Sequence, residues 1–576
     1  TPLDLATPES ALHSFIRGRE AFSALFNAPP ASFARVAGGA IPLLPQLLAG
    51  CGVEGGIWTL FDGSPLPDVG GGMIRWQAGG AAIDLLAAAP LDARSARTVL
   101  ALHETLGDAL DREHVAAVLF AHYAGTATRW HALVRRIGRW TNLLGTFVTP
   151  RELARRTTGA GTTVSLEPDA FPPTLPRSTA AAGDDVITVA VAQAGQEAGA
   201  IVAATSPLAV VPAPPPARPP IAVQPPLRRW LSFAGPAGAR RDADRLVLEH
   251  ELIRVEAHPQ TGGLLSLRRD RDGANRLSQQ LAVRTTRTAG GGGGWEAAED
   301  GVLTTRMVAD AVERVVGENG RDSLVSRGRL VAADGGVAAR FSQIVSLVEG
   351  MPLAVLDIEV ELERPLAGSL LDSHVAARFA WHENEHVEIR RSLLTQSVAT
   401  ERTRFTAPHF IEIVPESTRV DVAADAVTIL TGGLPWHLLS TPHVLDSLLA
   451  GGSVGRISRR LAIGLGLRRP WDSALALAAG TPLGVAIPGL PENVRLTVAE
   501  LVTTDRQLTA GRFGLLESAG VGGEVTIDWG RPVARATVVD FTGGPRTEPA
   551  VAIDGTRTVV SLERYQWLQL DLGFAG

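Results

Sequence analysis

Residues 246–273 read LVLEHELIRVEAHPQTGGLLSLRRDRDG, and the fold of most of the chain can be worked out from them. Leu252, Val255 and Ala257 fall at strand-like spacing, Pro259 to Gly263 supply a tight turn, and Leu264, Leu265 and Leu267 begin a second strand. Asp272-Gly273 marks a further turn. From about residue 229 onward the same grammar recurs. Period-two patterns appear in ARFSQIVSLVE (339–349), LAVLDIEVELE (353–363), RVDVAADAVTIL (419–430) and VRLTVAEL (494–501), separated by Gly, Asp, Asn and Pro. Such a run of strands with few helices predicts large antiparallel sheets.

Upstream the pattern changes. Residues 8–27 carry Leu12, Phe15, Ile16, Phe22 and Leu25 at helical spacing, Pro42 to Leu48 leads into a short helix, 94–110 is a strong amphipathic helix and 127–140 is helical again. Ile57–Phe61, Met73–Trp76 and Val115–Phe120 are strand-like, so residues 1–155 predict an α/β region. Residues 156–228 are dominated by Thr, Gly, Ala and Pro and end in PAPPPARPP (212–220), which predicts an extended connection. The expected organisation is therefore 1–155 α/β, 156–228 connection, 229–490 large antiparallel β-sandwich and 491–576 terminal β region.

Composition narrows the chemistry. The 576 residues carry a formal charge of -6, so no basic excess points to nucleic acid or an anionic membrane. No apolar run reads as long enough to span a bilayer, because 186–212 is rich in Ala, Gly, Gln and Pro. The single cysteine, Cys51, excludes an intramolecular disulfide and a Cys-rich zinc site. Every basic residue is arginine. Without lysine there is no P-loop NTPase and no pyridoxal Schiff base. Neither the compartment nor the oligomeric state can be read from the sequence, which leaves oligomerisation open.

The wording of several segments resembles family 38 of the glycoside hydrolases, the α-mannosidases. The strand ending in Arg254-Val255, the Pro-x-T-G-G turn and LLSL (264–267) resemble the entry strands of that family's sandwich. FSQIVSLVEGMPLAVLDIEV (341–360), ARFAWHENEHVEIRRS (377–392), LTGGLPWHLLSTPHVLDSLL (430–449) and VSLERYQWLQLDL (560–572) carry the likeness on in order. SFARVAGGAIPLLPQLLAGCGVEGGIW (32–58) is similar to the strand and helix around the catalytic nucleophile, and MIRWQAGGAAIDLL (73–86) to the strand pair that follows. The resemblance implies a partial (β/α) barrel lacking its earlier strands, then a supersandwich of galactose-mutarotase type. It also implies a carbohydrate substrate, with zinc or another divalent cation as cofactor.

Retaining glycosidases need a nucleophilic and an acid/base carboxyl flanking the bond. Aligning Pro42 and Pro45 with the family's prolines puts Val36 at the nucleophile, and no Asp or Glu lies between Glu20 and Glu54 to replace it. Either the alignment is displaced or the chain does not use that mechanism. His-x-Asp, the family's first metal-ligand pair, occurs nowhere.

Other candidates each have a plain structural reading beside the functional one. Asp62 and His122 follow predicted strands, where acid/base groups of parallel sheets sit; His122 is also the candidate metal ligand. Asp62 equally suits a turn before glycine, and His122 a structural role. Arg75 and Trp76 suit sugar binding or plain packing, as do Trp381, Trp436 and His437 on the sandwich. His382-Glu383-Asn384-Glu385-His386 matches the zinc-protease pentapeptide, but that chemistry requires a helix and the surroundings predict a hairpin. Three readings thus stand: a glycoside hydrolase, a non-catalytic carbohydrate-binding or scaffolding relative, and, remotely, a metalloprotease.

Overall fold

The computed structural model describes residues 2–35, 39–59, 66–67, 69, 72–111, 117–121, 128–140, 146–174, 183–205, 246–269, 273–286, 302–316, 322–366, 368–383, 385–416, 426–451, 455–483, 489–504 and 507–575. They form two compact units. Unit 1 comprises Thr1–Thr174, Leu393–Val398 and Gly489–Gly576; unit 2 comprises Leu175–Ser392 and Ala399–Pro488.

Unit 1 begins with the predicted helix, Pro8–Phe26. Its N-cap is Thr7, whose side chain accepts from the Ser10 N–H, and Asn27 closes it in the left-handed conformation at φ 52°. A five-stranded sheet follows: β1 (Ser32–Arg35), β2 (Gly55–Trp58), β3 (Gly72–Ala78), β4 (Ala81–Ala87) and β5 (Thr162–Val164), in the order β1-β2-β4-β3-β5. β1, β2 and β4 run parallel, while β3 is antiparallel to β4 through a two-residue turn. Gly79 and Gly80 occupy that turn at φ 52° and 75°, a conformation that costs glycine nothing. Among the described residues this mixed sheet, with its helices, is the α/β front that the sequence predicts.

Helices Leu44–Gly50, Ala96–Asp111 and Arg129–Trp140 appear where the periodicity places them. The strand expected at Val115–Phe120 is described only at Phe120–Ala121, which pairs in parallel with Leu91–Asp92. The terminal region supplies a four-stranded and a three-stranded antiparallel sheet to the same unit. Its Phe541 and Trp567 join Leu44, Leu47, Trp58 and Trp76 in one core.

Unit 2 holds two long antiparallel sheets. In the first, Val247–His250, Ile253–Ala257 and Leu264–Arg268 form the edge hairpins, and Leu277–Thr286, Ser373–Ala380 and Val444–Gly451 lie at the centre. Leu252 does not take the inward place its spacing suggests. It sits 39% exposed in the turn after His250, and Ile253, Val255 and Ala257 point inward instead. In the second sheet Leu353–Leu362 pairs with Val337–Leu347 on one side and Arg456–Leu465 on the other. The sheets meet across a buried bond, with Gln343 Nε2 donating to Gln279 Oε1 at 3.0 Å.

The alternation along Leu353–Leu362 explains the other face of the second sheet. Leu353 and Val355 pack with Phe410, Leu430 and Trp471 beneath two helices, Gly183–Thr205 and Pro470–Ala479. Further along the same face, Asp357 pairs with Arg460 and Glu359 with Arg456. Apolar side chains thus stop where helical cover stops.

The stretch 156–228 is therefore not a plain connection. It contributes β5, the buried Phe171 of unit 1 and the helix Gly183–Thr205 of unit 2. Helical segment Val186–Thr205 is also long and apolar enough, by length and composition, to cross a membrane, which corrects the sequence reading. Alanine and glycine lower its polarity without breaking the helix. In this structure one face is used for packing: Ile187, Ala194, Ala198 and Ile201 are buried, while Val189 is 61% exposed. Ala198→Asp should place a charge in that seam and cost at least about 2 kcal/mol. Urea unfolding would show the loss, and hydrogen exchange should find residues 186–205 deprotected first.

Candidate functional site

In open α/β sheets, ligands bind beyond the carboxyl ends of the parallel strands. Here that edge is defined by Arg35, Trp58 and Ala87, the last residues of β1, β2 and β4. The ladder continues one step, with the Thr59 N–H donating to Arg35 O at 2.9 Å and the Ala88 N–H to Trp58 O at 3.2 Å. Val36, Asp62 and His122 all lie outside the described residues.

The first described residue after the expected nucleophile position is Gly39, at φ 75°. A side chain there would collide with the Thr174 hydroxyl and the Asp4 carboxylate. Asp4 is a buried acid that sequence patterning did not single out. It accepts from the Thr174 N–H at 2.7 Å and the Thr174 hydroxyl at 2.8 Å, so both its oxygens hold chain segments together. Nothing in its local sequence, TPLDLAT, announces that role.

Trp76 is fully buried, and its ring lies 5.2 Å from Trp58 and 5.3 Å from Phe171. Those faces are taken, so Trp76 is a core residue and not a sugar platform. Arg75, on the opposite face of β3, pairs with buried Asp84 at 3.1 Å, and Asp84 also accepts from the Gly159 N–H at 3.0 Å. The pair closes the loop before β5 onto the sheet.

The sandwich candidates are buried too. Trp381 is 6% exposed and Trp436 3%. His437 sits between Ser447 Oγ (3.0 Å from Nδ1) and the carbonyls of Ala407 and Leu434 (both 3.1 Å from Nε2). That set makes Nε2 the donor and leaves Nδ1 to accept. All three side chains are buried. In the pentapeptide, the Glu385 N–H donates to His382 O and Glu385 pairs with Arg276 at 3.2 Å, so the described part is a turn between strands. Without a helix the two imidazoles do not share a face.

A charge cluster unnoticed in the sequence lies on the central strands of the first sheet. Asp446, fully buried, accepts from Arg378 Nε at 2.8 Å and lies 3.7 Å from Arg284 Nη1. Arg378 also donates to Ser440 Oγ at 3.2 Å. Register explains the meeting, because Arg378 stands directly opposite Asp446 across the ladder. Burial pushes the Asp446 carboxyl above the usual carboxylate range, and Arg378 and Arg284 pull against it. His374, directly opposite Arg284 in the ladder, donates its Nδ1–H to Leu370 O (3.0 Å), and burial followed by the Arg284 charge pushes its pKa down to about 3. An acid held between two guanidinium groups on central strands ties the sheet together.

Among the described residues no three His, Cys, Asp or Glu side chains group so as to hold a metal ion. The described donors therefore do not fit a resident zinc.

Two consequences can be measured. Asp446→Ala leaves two guanidinium groups facing each other in the sheet and should cost about 3–5 kcal/mol in urea unfolding. The second concerns pH. His374, His409 and His437 are pushed down to about 3, 3 and 4 by burial. Unfolded histidine titrates near 6.5, so below that pH the unfolded chain takes up protons that the folded chain refuses. Stability should be full above about pH 7.5 and fall toward pH 5, each histidine adding a slope of up to about 1.4 kcal/mol per pH unit. Unfolding midpoints across that range check it.

No family model matches the chain, and no curated protein matches it. Solved structures do. A protein in glycosyl hydrolase family 38 from Enterococcus faecalis aligns with a TM-score of 0.61 at 10% identity, covering 98% of this chain and 89% of its own. An α-mannosidase from Enterococcus faecalis aligns at 0.39 and 12% identity, over 57% of this chain and 42% of its own. A putative aldose 1-epimerase from Escherichia coli aligns at 0.25 and 11% identity, over 38% of this chain and 98% of its own. At 10% identity the first match demonstrates a shared architecture, and it extends over nearly the whole chain: the fold is that of the family 38 glycoside hydrolase protein, an α/β region followed by large antiparallel sheets.

Proposed function

We propose that this chain is a carbohydrate-binding protein built on the fold of family 38 glycoside hydrolases, and that it does not cleave α-mannosides by the retaining route. The carrying observation is a mismatch between body and equipment. The fold agrees over 98% of the chain. Yet the aligned nucleophile position is Val36, and the sequence offers no carboxylate between Glu20 and Glu54.

Retention demands two carboxyl groups about 5–5.5 Å apart, one of which bonds to the anomeric carbon. An isopropyl group can neither attack that carbon nor bind a cation. Asp4, the buried acid beside Gly39, already spends both oxygens on Thr174. Because the described donors do not gather around a metal, no step is assigned to one. The remaining work of such a body is recognition.

Two assays with the full chain test the reading. With added zinc, turnover of an aryl α-mannoside should not exceed the buffer blank. On a glycan array the same preparation should bind sugars. Zinc-dependent hydrolysis would overturn the proposal in favour of a glycosidase, and an array with no binding would overturn it in favour of a scaffold.

A further inference from the structure

A cleft of about 680 Å³ opens in unit 1 at the end of the sheet opposite the carboxyl edge of the parallel strands. Its walls are the β3–β4 turn, residues 165–168 that follow β5, and two loops of the terminal region at 521–523 and 562–565. The loop at 562–565 is unusual. Tyr565 holds φ 56°, a left-handed conformation that a non-glycine residue adopts at a cost.

Three anchors hold it there. The Tyr565 N–H donates to Glu517 Oε2 at 2.9 Å, Tyr565 O accepts from Gln46 Nε2 at 2.9 Å, and the Trp567 N–H donates to Gln46 Oε1 at 2.7 Å. Glu517 is itself fully buried, and it also takes the Ala519 and Gly520 N–H groups of the facing loop. A buried carboxylate and a buried amide thus preset both loops. Across the cleft Gly80 passes so close to the Glu563 carboxylate that a Cβ would stand 3.1 Å from it. The turn glycine leaves that carboxylate its place.

From this geometry we infer that the cleft is a binding site for a neutral sugar, an inference that rests on the carbohydrate-binding reading. The lining selects the ligand class. Glu167 and Glu563 can accept hydrogen bonds from hydroxyls, Gln77 can do both, Arg564 keeps its terminal amino groups to donate while its Nε holds Gly520 O at 2.7 Å, and the half-buried Tyr565 lines the cleft with the Arg564 guanidinium 5.8 Å from its ring centre. Two carboxylates oppose an anion. A cation lacks a third ligand, since no group of three donors occurs among the described residues. A polyhydroxylated ring uses every one of these groups. The strained tyrosine then has a purpose: rigid anchors support a side chain displayed at the cleft.

Two single variants of the full chain test the site by titration with soluble α-mannobiose, maltose and cellobiose. Tyr565→Gly removes the ring while giving the left-handed position the residue it favours. Ser165→Trp, at an exposed position, fills the cleft from its rim without touching the core. Both should melt close to the parent protein and bind the best of the three sugars at least tenfold more weakly. If the parent binds and either folded variant binds as well as the parent, the cleft inference is overturned and the carbohydrate reading stands. If the parent binds none of the three, the reading itself fails and takes the cleft with it.

Discussion

The constraint on which unit 2 depends is the two-residue period of its strands, each of which must hide one face against a second sheet. Gln343 meeting Gln279 in the buried seam shows how tightly the two sheets are registered. A slip of one residue would move Leu356 and Ile358 outward and drive Asp357 and Glu359 into the interior. The opposite face obeys the same rule at one remove, with helices over Leu353 and Val355 and ion pairs beyond them.

That period explains why the sandwich was legible in the sequence. Alternation, turn glycines and prolines are local signals, and ARFSQIVSLVE carries all it needs within eleven residues. The α/β front was legible by the same means, through helical spacing at 8–27 and 94–110. The reading of 156–228 passed over the helix Gly183–Thr205 because its residues are small, while 206–228 lies outside the described residues. Alanine and glycine look like linker, yet Ala194 and Ala198 let the helix Gly183–Thr205 lie close against Leu353 and Trp471. Phe171 lay hidden for another reason. One aromatic residue before Pro172-Pro173 has no periodic companions, and only tertiary contact reveals that it stacks on Trp58 and Trp76.

The site was less legible than the fold, since chemistry depends on distant residues meeting. Trp76, Trp381, Trp436 and His437 were attractive as residue types, but sequence does not report which faces are already covered. Asp446 with Arg378 and Arg284, and Glu517 with Tyr565, are joined across strands and across 48 residues respectively, so no local motif marks them. Both are buried carboxylates that organise their surroundings, Asp446 through Arg378 and Glu517 through the Ala519, Gly520 and Tyr565 N–H groups.

Fold and chemistry thus separate in this chain: the architecture is shared with a glycoside hydrolase, while the position expected to attack the sugar carries a side chain of carbon and hydrogen. A retaining mechanism passes through a covalent glycosyl–carboxylate ester, so the direct measurement is intact mass after incubation with a 2-fluoro mannosyl fluoride in the presence of zinc. The predicted result is an unchanged protein mass. A stoichiometric increase by one fluoromannosyl group, mapped to an aspartate or glutamate, would contradict it.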